Sequence, residues 1–271
     1  MLKFYSILLL LLSSFILTAQ VNLKPSIGIG ALPEVDAIIC EIPNYLGSFE
    51  TSGLQAGDTI ADFNLYDLQG NNYEISSIIQ DGKPLLFISS SYTCPVYRGK
   101  VNLINDLQNQ YGDELNIFII YTVEAHPSGD ISPYFGFENV GNQNIQQGIL
   151  YSQPDTYGER KSIVEDMLIA MTIDVPVLID GVCNEWWAHF GPAPNNAYLV
   201  NPNGTVYTKH GWFDKFPNDI YCDIDNLLSN TNEDCNNQSD IGSFQFSLTG
   251  DDFIQGDAGQ TLFVYGQLVV L

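Results

Sequence analysis

The apolar run Pro84-Leu85-Leu86-Phe87-Ile88 leads, six residues later, into Cys94-Pro95. The run is short, bounded by Asp81-Gly82 before and small polar residues after, which is the signature of a buried strand. Pro95 suits the first turn of a helix, where no intrahelical N–H bond is lost. A buried strand feeding directly into a helix demands a layered α/β architecture, and the pattern recurs along the chain. Val101, Ile104 and Leu107 follow at helical spacing up to Tyr111-Gly112, and Leu115 to Val123 reads as a second buried strand. A helix from about Glu159 to Met171 precedes a strand over Val175 to Asp180. A short helix over Asn184 to Phe190 ends at Gly191.

Around this centre lie simpler signals. Ala61 to Tyr66 and Tyr73 to Ile75 form two short strands about a turn at Asp67 to Asn71. Asn196 to Val200 and Thr205 to Thr208 flank Asn201-Pro202-Asn203-Gly204, a hairpin turn, and a helix over Asp219 to Ser229 follows. Ser128 to Gln153, rich in Gly, Asn, Gln and Pro, reads as an insertion loop. The pattern predicts a thioredoxin-like α/β fold, a mixed central sheet flanked by helices, over residues 51–230, with an irregular lead at 21–50. Residues 231–240 form a polar linker, and 241–271 a short β segment, either the start of a truncated β domain or a docked hairpin.

Residues 1–20 read as a signal peptide: Lys3, an apolar stretch from Ile7 to Leu17, and the small residue Ala19 at the cleavage position. The mature protein is expected outside the cytoplasm, secreted, periplasmic or at the cell surface, with no membrane association once the signal is removed. With 9 basic against 32 acidic residues and a net charge of -23, phosphate backbones are repelled and nucleic acid is excluded as a partner. Three histidines without ligand spacing to the cysteines predict no metal site.

Export changes the meaning of five cysteines. Cys40, Cys183, Cys222 and Cys235 are candidates for bridges, and Cys222 with Cys235 is the preferred pair. The odd thiol is Cys94. At a strand-to-helix junction, unpaired amides and the helix dipole favour an anion, so a lowered pKa and nucleophilic character are expected; a buried structural cysteine is the alternative. Arg98, one turn along the same helix face, either supports the thiolate or is a plain surface charge. Tyr92 is a candidate lining residue, and His210 a candidate for the edge of the site.

Gly57 to Pro95, with Ala61-Asp62-Phe63-Asn64-Leu65-Tyr66-Asp67 leading to the cysteine, resembles the opening of the redoxin and thiol peroxidase group. Thr93-Cys94-Pro95, Glu124-Ala125-His126-Pro127, Glu159-Arg160, the Val175 to Asp180 block and Tyr198-Leu199-Val200 running to Gly211 together resemble the iodothyronine deiodinase family within the thioredoxin-like superfamily. The resemblance implies that Cys94 is the nucleophile, in the place of a selenocysteine or cysteine, with His126 as active-site histidine and Glu124 beside it. It also implies that Pro176 is the cis proline facing the thiol. Tyr92 stands where many deiodinases carry a second cysteine. The implied chemistry uses no bound cofactor. It needs a small-molecule substrate, a halogenated aromatic or a peroxide, and an external thiol reductant as electron donor, Cys183 being the other conceivable resolving partner. A thiol peroxidase and a non-catalytic exported binding module are the alternative functions.

Overall fold

The computed structural model describes residues 21–231, apart from Asn22 and Ile29, together with Cys235. The signal-peptide segment, most of the linker and the C-terminal β segment lie outside the described residues. The centre of the sheet is the parallel pair β3 (Leu85–Ser90) and β4 (Asn116–Tyr121), paired from Leu85 opposite Asn116 to Ser90 opposite Tyr121. Every residue of β3 is buried, as expected of a strand covered on both faces. Its side chains divide with period two: Leu86 and Ile88 enter one core, Leu85 and Phe87 the other.

The first core packs α2 (Pro95–Tyr111), α4 (Tyr157–Ala170) and α6 (Ile220–Leu228) through Val101, Ile104, Leu107, Val164, Met167, Ile220 and Ile224. The second takes in Phe63, Ile75 of α1 (Ile75–Ile78), and Trp186 and Phe190 of α5 (Glu185–Phe190). A fully buried Phe87, in edge contact with Phe63 at 5.4 Å, contributes about 1.5–3 kcal/mol by burial.

The seven strands run in the order β2-β1-β5-β4-β3-β6-β7, where β1 is Asn64–Asp67, β2 Asn72–Glu74, β5 Val177–Ile179, β6 Ala197–Val200 and β7 Val206–His210. β4 and β5 run parallel to β3; β6 pairs with β3 antiparallel and turns back into β7 at Gly204, whose φ of +84° glycine accommodates without strain. A β3-α2-β4 crossover followed by the β6-β7-α6 hairpin and helix is the thioredoxin-like arrangement. The sequence-based elements hold in type, with three differences. Ile75, expected to end a strand, instead opens the helix α1, and the strand β2 stops at Glu74. Thr156 and Glu159 form a reciprocal capping box, so α4 starts at Tyr157 rather than at Glu159. Within the expected insertion loop lies a helix, α3 (Asn142–Gln147), whose buried residue is the polar Asn144 while Ile145 is exposed, so it has no apolar periodicity to announce it.

The lead is irregular, as expected, yet it is tied to the sheet. Cys40 is disulfide-bonded to Cys183, and isolated bridges join Lys24 to Ala61 and Ile38 to Thr156.

Candidate active site

β3 and β4 end side by side, so the segments leaving them, Ser91–Cys94 and Thr122–Pro127, share one edge of the sheet. Glu124 locks the two together. Its side chain is fully buried, and Oε2 accepts from Ser91 Oγ at 3.1 Å, Thr93 N at 3.0 Å and Thr93 Oγ1 at 2.7 Å, while Oε1 accepts from the Tyr121 hydroxyl. Returning bonds run from Ala125 N to Ser91 Oγ at 2.9 Å and from His126 N to Thr93 Oγ1 at 3.0 Å. Hydrogen bonds to a charged group contribute about 1.5–3 kcal/mol each, so this cross-brace fixes the cysteine turn rigidly.

Cys94 is the N-cap of α2 and makes no side-chain capping hydrogen bond; the Val96 and Tyr97 amides of the first turn act on its sulfur as groups that favour the anion. The residue is 1% exposed, and burial pushes the thiol up to about 11. The two amides and the Arg98 charge pull it down, and the Glu124 carboxylate adds to the rise. The expected lowering of the pKa is therefore corrected. The amides are in place, but desolvation of the anion outweighs them.

Arg98 is half-buried and braced rather than free: Nη1 donates to Tyr92 O at 2.6 Å, Nη2 to Asn144 Oδ1 at 2.8 Å and to Gln147 Oε1 at 2.9 Å. Asn144 Nδ2 in turn donates to Thr93 O at 2.8 Å, so α3 also holds the cysteine turn. Asn144, Ser91, Tyr121 and Gln153, which bonds both backbone groups of Glu124, are site residues that periodicity and motif reading miss. All are polar residues whose role exists only in the folded arrangement.

His126 is joined to the cysteine turn through its amide, and its ring lies 5.3 Å from Phe135. Nδ1 sits 2.8 Å from Asn139 O, an acceptor only, which assigns the ring proton to Nδ1 and leaves Nε2 as the acceptor. Burial holds the imidazole below its ordinary value, the Asn139 bond opposes this, and the Arg98 charge adds to the lowering. Glu124 does not orient the imidazole, because its oxygens are engaged by Tyr121, Ser91 and Thr93; that expectation is corrected.

Tyr92 is nearly buried and packs on Tyr151 at 5.4 Å, so it is part of the core rather than a wall of an open pocket. Pro176 is also corrected. It is exposed, its peptide bond is trans, and it stands at the start of β5, the opposite edge of the sheet from Cys94. His210 is buried with both nitrogens engaged, Nε2 2.6 Å from Asp223 Oδ2 and Nδ1 accepting from Asp214 N at 3.1 Å, so it braces β7 against α6 and the segment leading to it.

Cys94 is a free, buried thiol. Cys183, bonded to Cys40, is not available as a resolving thiol, a further correction. Cys222 and Cys235 are both disulfide-bonded, but the residues joining them lie largely outside those described. Among the described residues no helix is long and apolar enough to cross a membrane.

No family model and no curated protein matches the chain. Solved structures do match at low identity. A hypothetical protein from Sinorhizobium meliloti is 18% identical, covering 65% of this chain and 86% of that one, with a TM-score of 0.46. The exposed lipoprotein thioredoxin of Streptococcus pneumoniae is 15% identical over 57% and 92%, with a TM-score of 0.40. A secreted disulfide oxidoreductase of Mycobacterium tuberculosis is 12% identical over 55% and 82%, with a TM-score of 0.36. The fold itself rests on the strand order and directions described above.

Proposed function

We propose that this chain is an exported thiol-dependent oxidoreductase whose reacting group is Cys94. One observation carries the reading: a free thiol stands at the N-cap of the helix that follows the central strand, with a buried carboxylate network holding its turn. Such a sulfur can exchange between thiolate and a bonded, oxidised form without the turn moving. The Cys40–Cys183 disulfide supports an oxidising compartment.

In the deiodinase-like reading, the thiolate attacks the halogen of an aryl halide. An S–halogen bond forms, the carbon–halogen bond breaks, and the carbon takes a proton. A thiol then displaces halide from sulfur to give a mixed disulfide, and a second thiol releases Cys94 as its own disulfide. The sum is aryl halide plus two thiols giving arene, disulfide and hydrogen halide. His126 Nε2 is the nitrogen that takes up and hands on the proton. With a peroxide, the same thiolate cleaves the O–O bond to give a sulfenic acid and an alcohol, and the same two thiols restore it. The burial of Cys94 favours a third reading, an inert structural thiol in a binding module.

A screen of halogenated phenols and peroxides with an added thiol separates these readings. Once turnover is found, Cys94→Ser abolishes it, because a hydroxyl stays protonated at this site. His126→Ala lowers it about a hundredfold and alters its pH profile. Full activity in Cys94→Ser sinks the whole reading. An unchanged pH profile in His126→Ala removes only the histidine.

A further inference from the structure

Residues 41–52 lie between two anchors on the same edge of the sheet. At one end Cys40 is bonded to Cys183, which follows β5, and Cys40 N donates to Val182 O at 2.8 Å. At the other end Lys209, near the end of β7, donates through Nζ to the carbonyls of Phe49 at 2.8 Å, Glu50 at 3.2 Å and Ser52. Gly211 N adds a bond to Glu50 Oε2 at 3.1 Å. Because β5, β4, β3 and β7 all point the same way, a strap from the β5 end to the β7 end crosses the ends of β4 and β3. Those ends carry Glu124 and Cys94.

The strap presses on the site through one intermediate layer. Tyr45 N donates to Pro133 O at 2.7 Å, and the Phe49 ring meets Tyr134 at 5.5 Å and Trp212 at 5.1 Å. Tyr134 is fixed by Trp187 Nε1 at 2.8 Å and packs on the core cluster that contains Cys94. Cys94 is almost fully buried, whereas Cys40 and Cys183 are both exposed. The reducible bond faces solvent and the reacting thiol does not.

We infer that the Cys40–Cys183 disulfide is a redox latch: its reduction frees one end of the 41–52 strap, which swings about its Lys209 anchor and uncovers Cys94. The reductant is a small dithiol. One of its thiolates attacks the exposed S–S bond and the second closes on the first. The Cys40–Cys183 bond breaks, each sulfur takes a proton, and the dithiol leaves as its cyclic disulfide. The regulatory meaning rests on Cys94 being the reacting thiol, since the latch then ties activity to the presence of the donor that sustains turnover.

Access is measured apart from activity, as the rate of Cys94 alkylation by iodoacetamide at pH 8, resolved by peptide mass spectrometry. Cys40→Ser/Cys183→Ser, with the strap untethered, is expected to react about tenfold faster or more than the oxidised protein, and dithiol-treated wild type to match it. Amide exchange in β3 and β4 stays unchanged in the variant. A rate within about twofold of wild type overturns the latch, and so does a rise accompanied by faster exchange across β3 and β4, which is general loosening. If the double variant does not fold, Phe49→Ala loosens the strap with the disulfide intact, and its unchanged rate overturns the cover. Faster alkylation without turnover on any substrate leaves the latch standing and refutes the proposed reaction.

Discussion

Replacing Glu124 by Gln separates the charge of the buried carboxylate from its shape. The amide can keep its oxygen where Oε2 accepts from Ser91 and Thr93, and turn its NH2 toward the Tyr121 hydroxyl, which then accepts. Three charge-assisted bonds become neutral ones at a cost of about 1 kcal/mol each, partly offset because a charge is no longer buried. The net destabilisation is about 1–3 kcal/mol, a fall in Tm of roughly 3–10 °C for a domain of this size. The Cys94 thiol moves the other way. Glu124 is one of the groups that raise it, so its midpoint falls below the wild-type value of about 11. Alkylation of Cys94 followed from pH 6 to 11, beside thermal unfolding, reads both effects. In wild type the rate climbs throughout this range, since at pH 7 only about one thiol in ten thousand is ionised. A midpoint unchanged or raised in Glu124→Gln would show that the carboxylate does not act on the sulfur. A Tm equal to wild type would show that it does not brace the turn.

The buried pair of Arg160 and Asp180 sets a pH dependence of stability. Burial raises the Asp180 carboxyl from 3.8 to about 6, against the Arg160 charge and the Trp187 and Trp186 amides. A carboxyl raised by folding contributes stability below its unfolded value and loses it as pH rises through the folded one, so this group weakens the fold by about 3 kcal/mol between pH 4 and 6. Denaturant unfolding of Asp180→Asn is expected to show a flatter slope across that window, and a slope identical to wild type would dismiss the group. For the cysteines, non-reducing peptide mapping of the mature protein is expected to find Cys222 joined to Cys235, a short loop whose closure stabilises by about 3 kcal/mol in the chain-entropy model. A peptide pairing either with another cysteine refutes it.

Local chemistry written along the chain determined the architecture here. The apolar run at 84–88 and the largely apolar segment at 115–123 are buried on both faces of a sheet because nothing else satisfies their apolar side chains, and Pro95 suits a helix start because its fixed φ fits the first turn and its missing N–H costs no bond there. Cys94 and its neighbours were legible for the same reason, since a thiol between such a strand and such a helix has only one place to be. What the thiol is like was decided by tertiary structure. Its environment is the sum of two amides and Arg98 from its own helix, and of burial and the Glu124 carboxylate, which segments far apart in sequence contribute. A motif carries no measure of desolvation, so the sign of the pKa shift was misread. Pro176 was misplaced because a strand's sequence does not say which edge of the sheet its proline will occupy. That depends on direction and partner, here parallel to β4. The strap over the site, the Cys40–Cys183 pairing across 143 residues and the polar helix α3 under Arg98 are long-range contacts with no period or spacing of their own, and only folding brings them together.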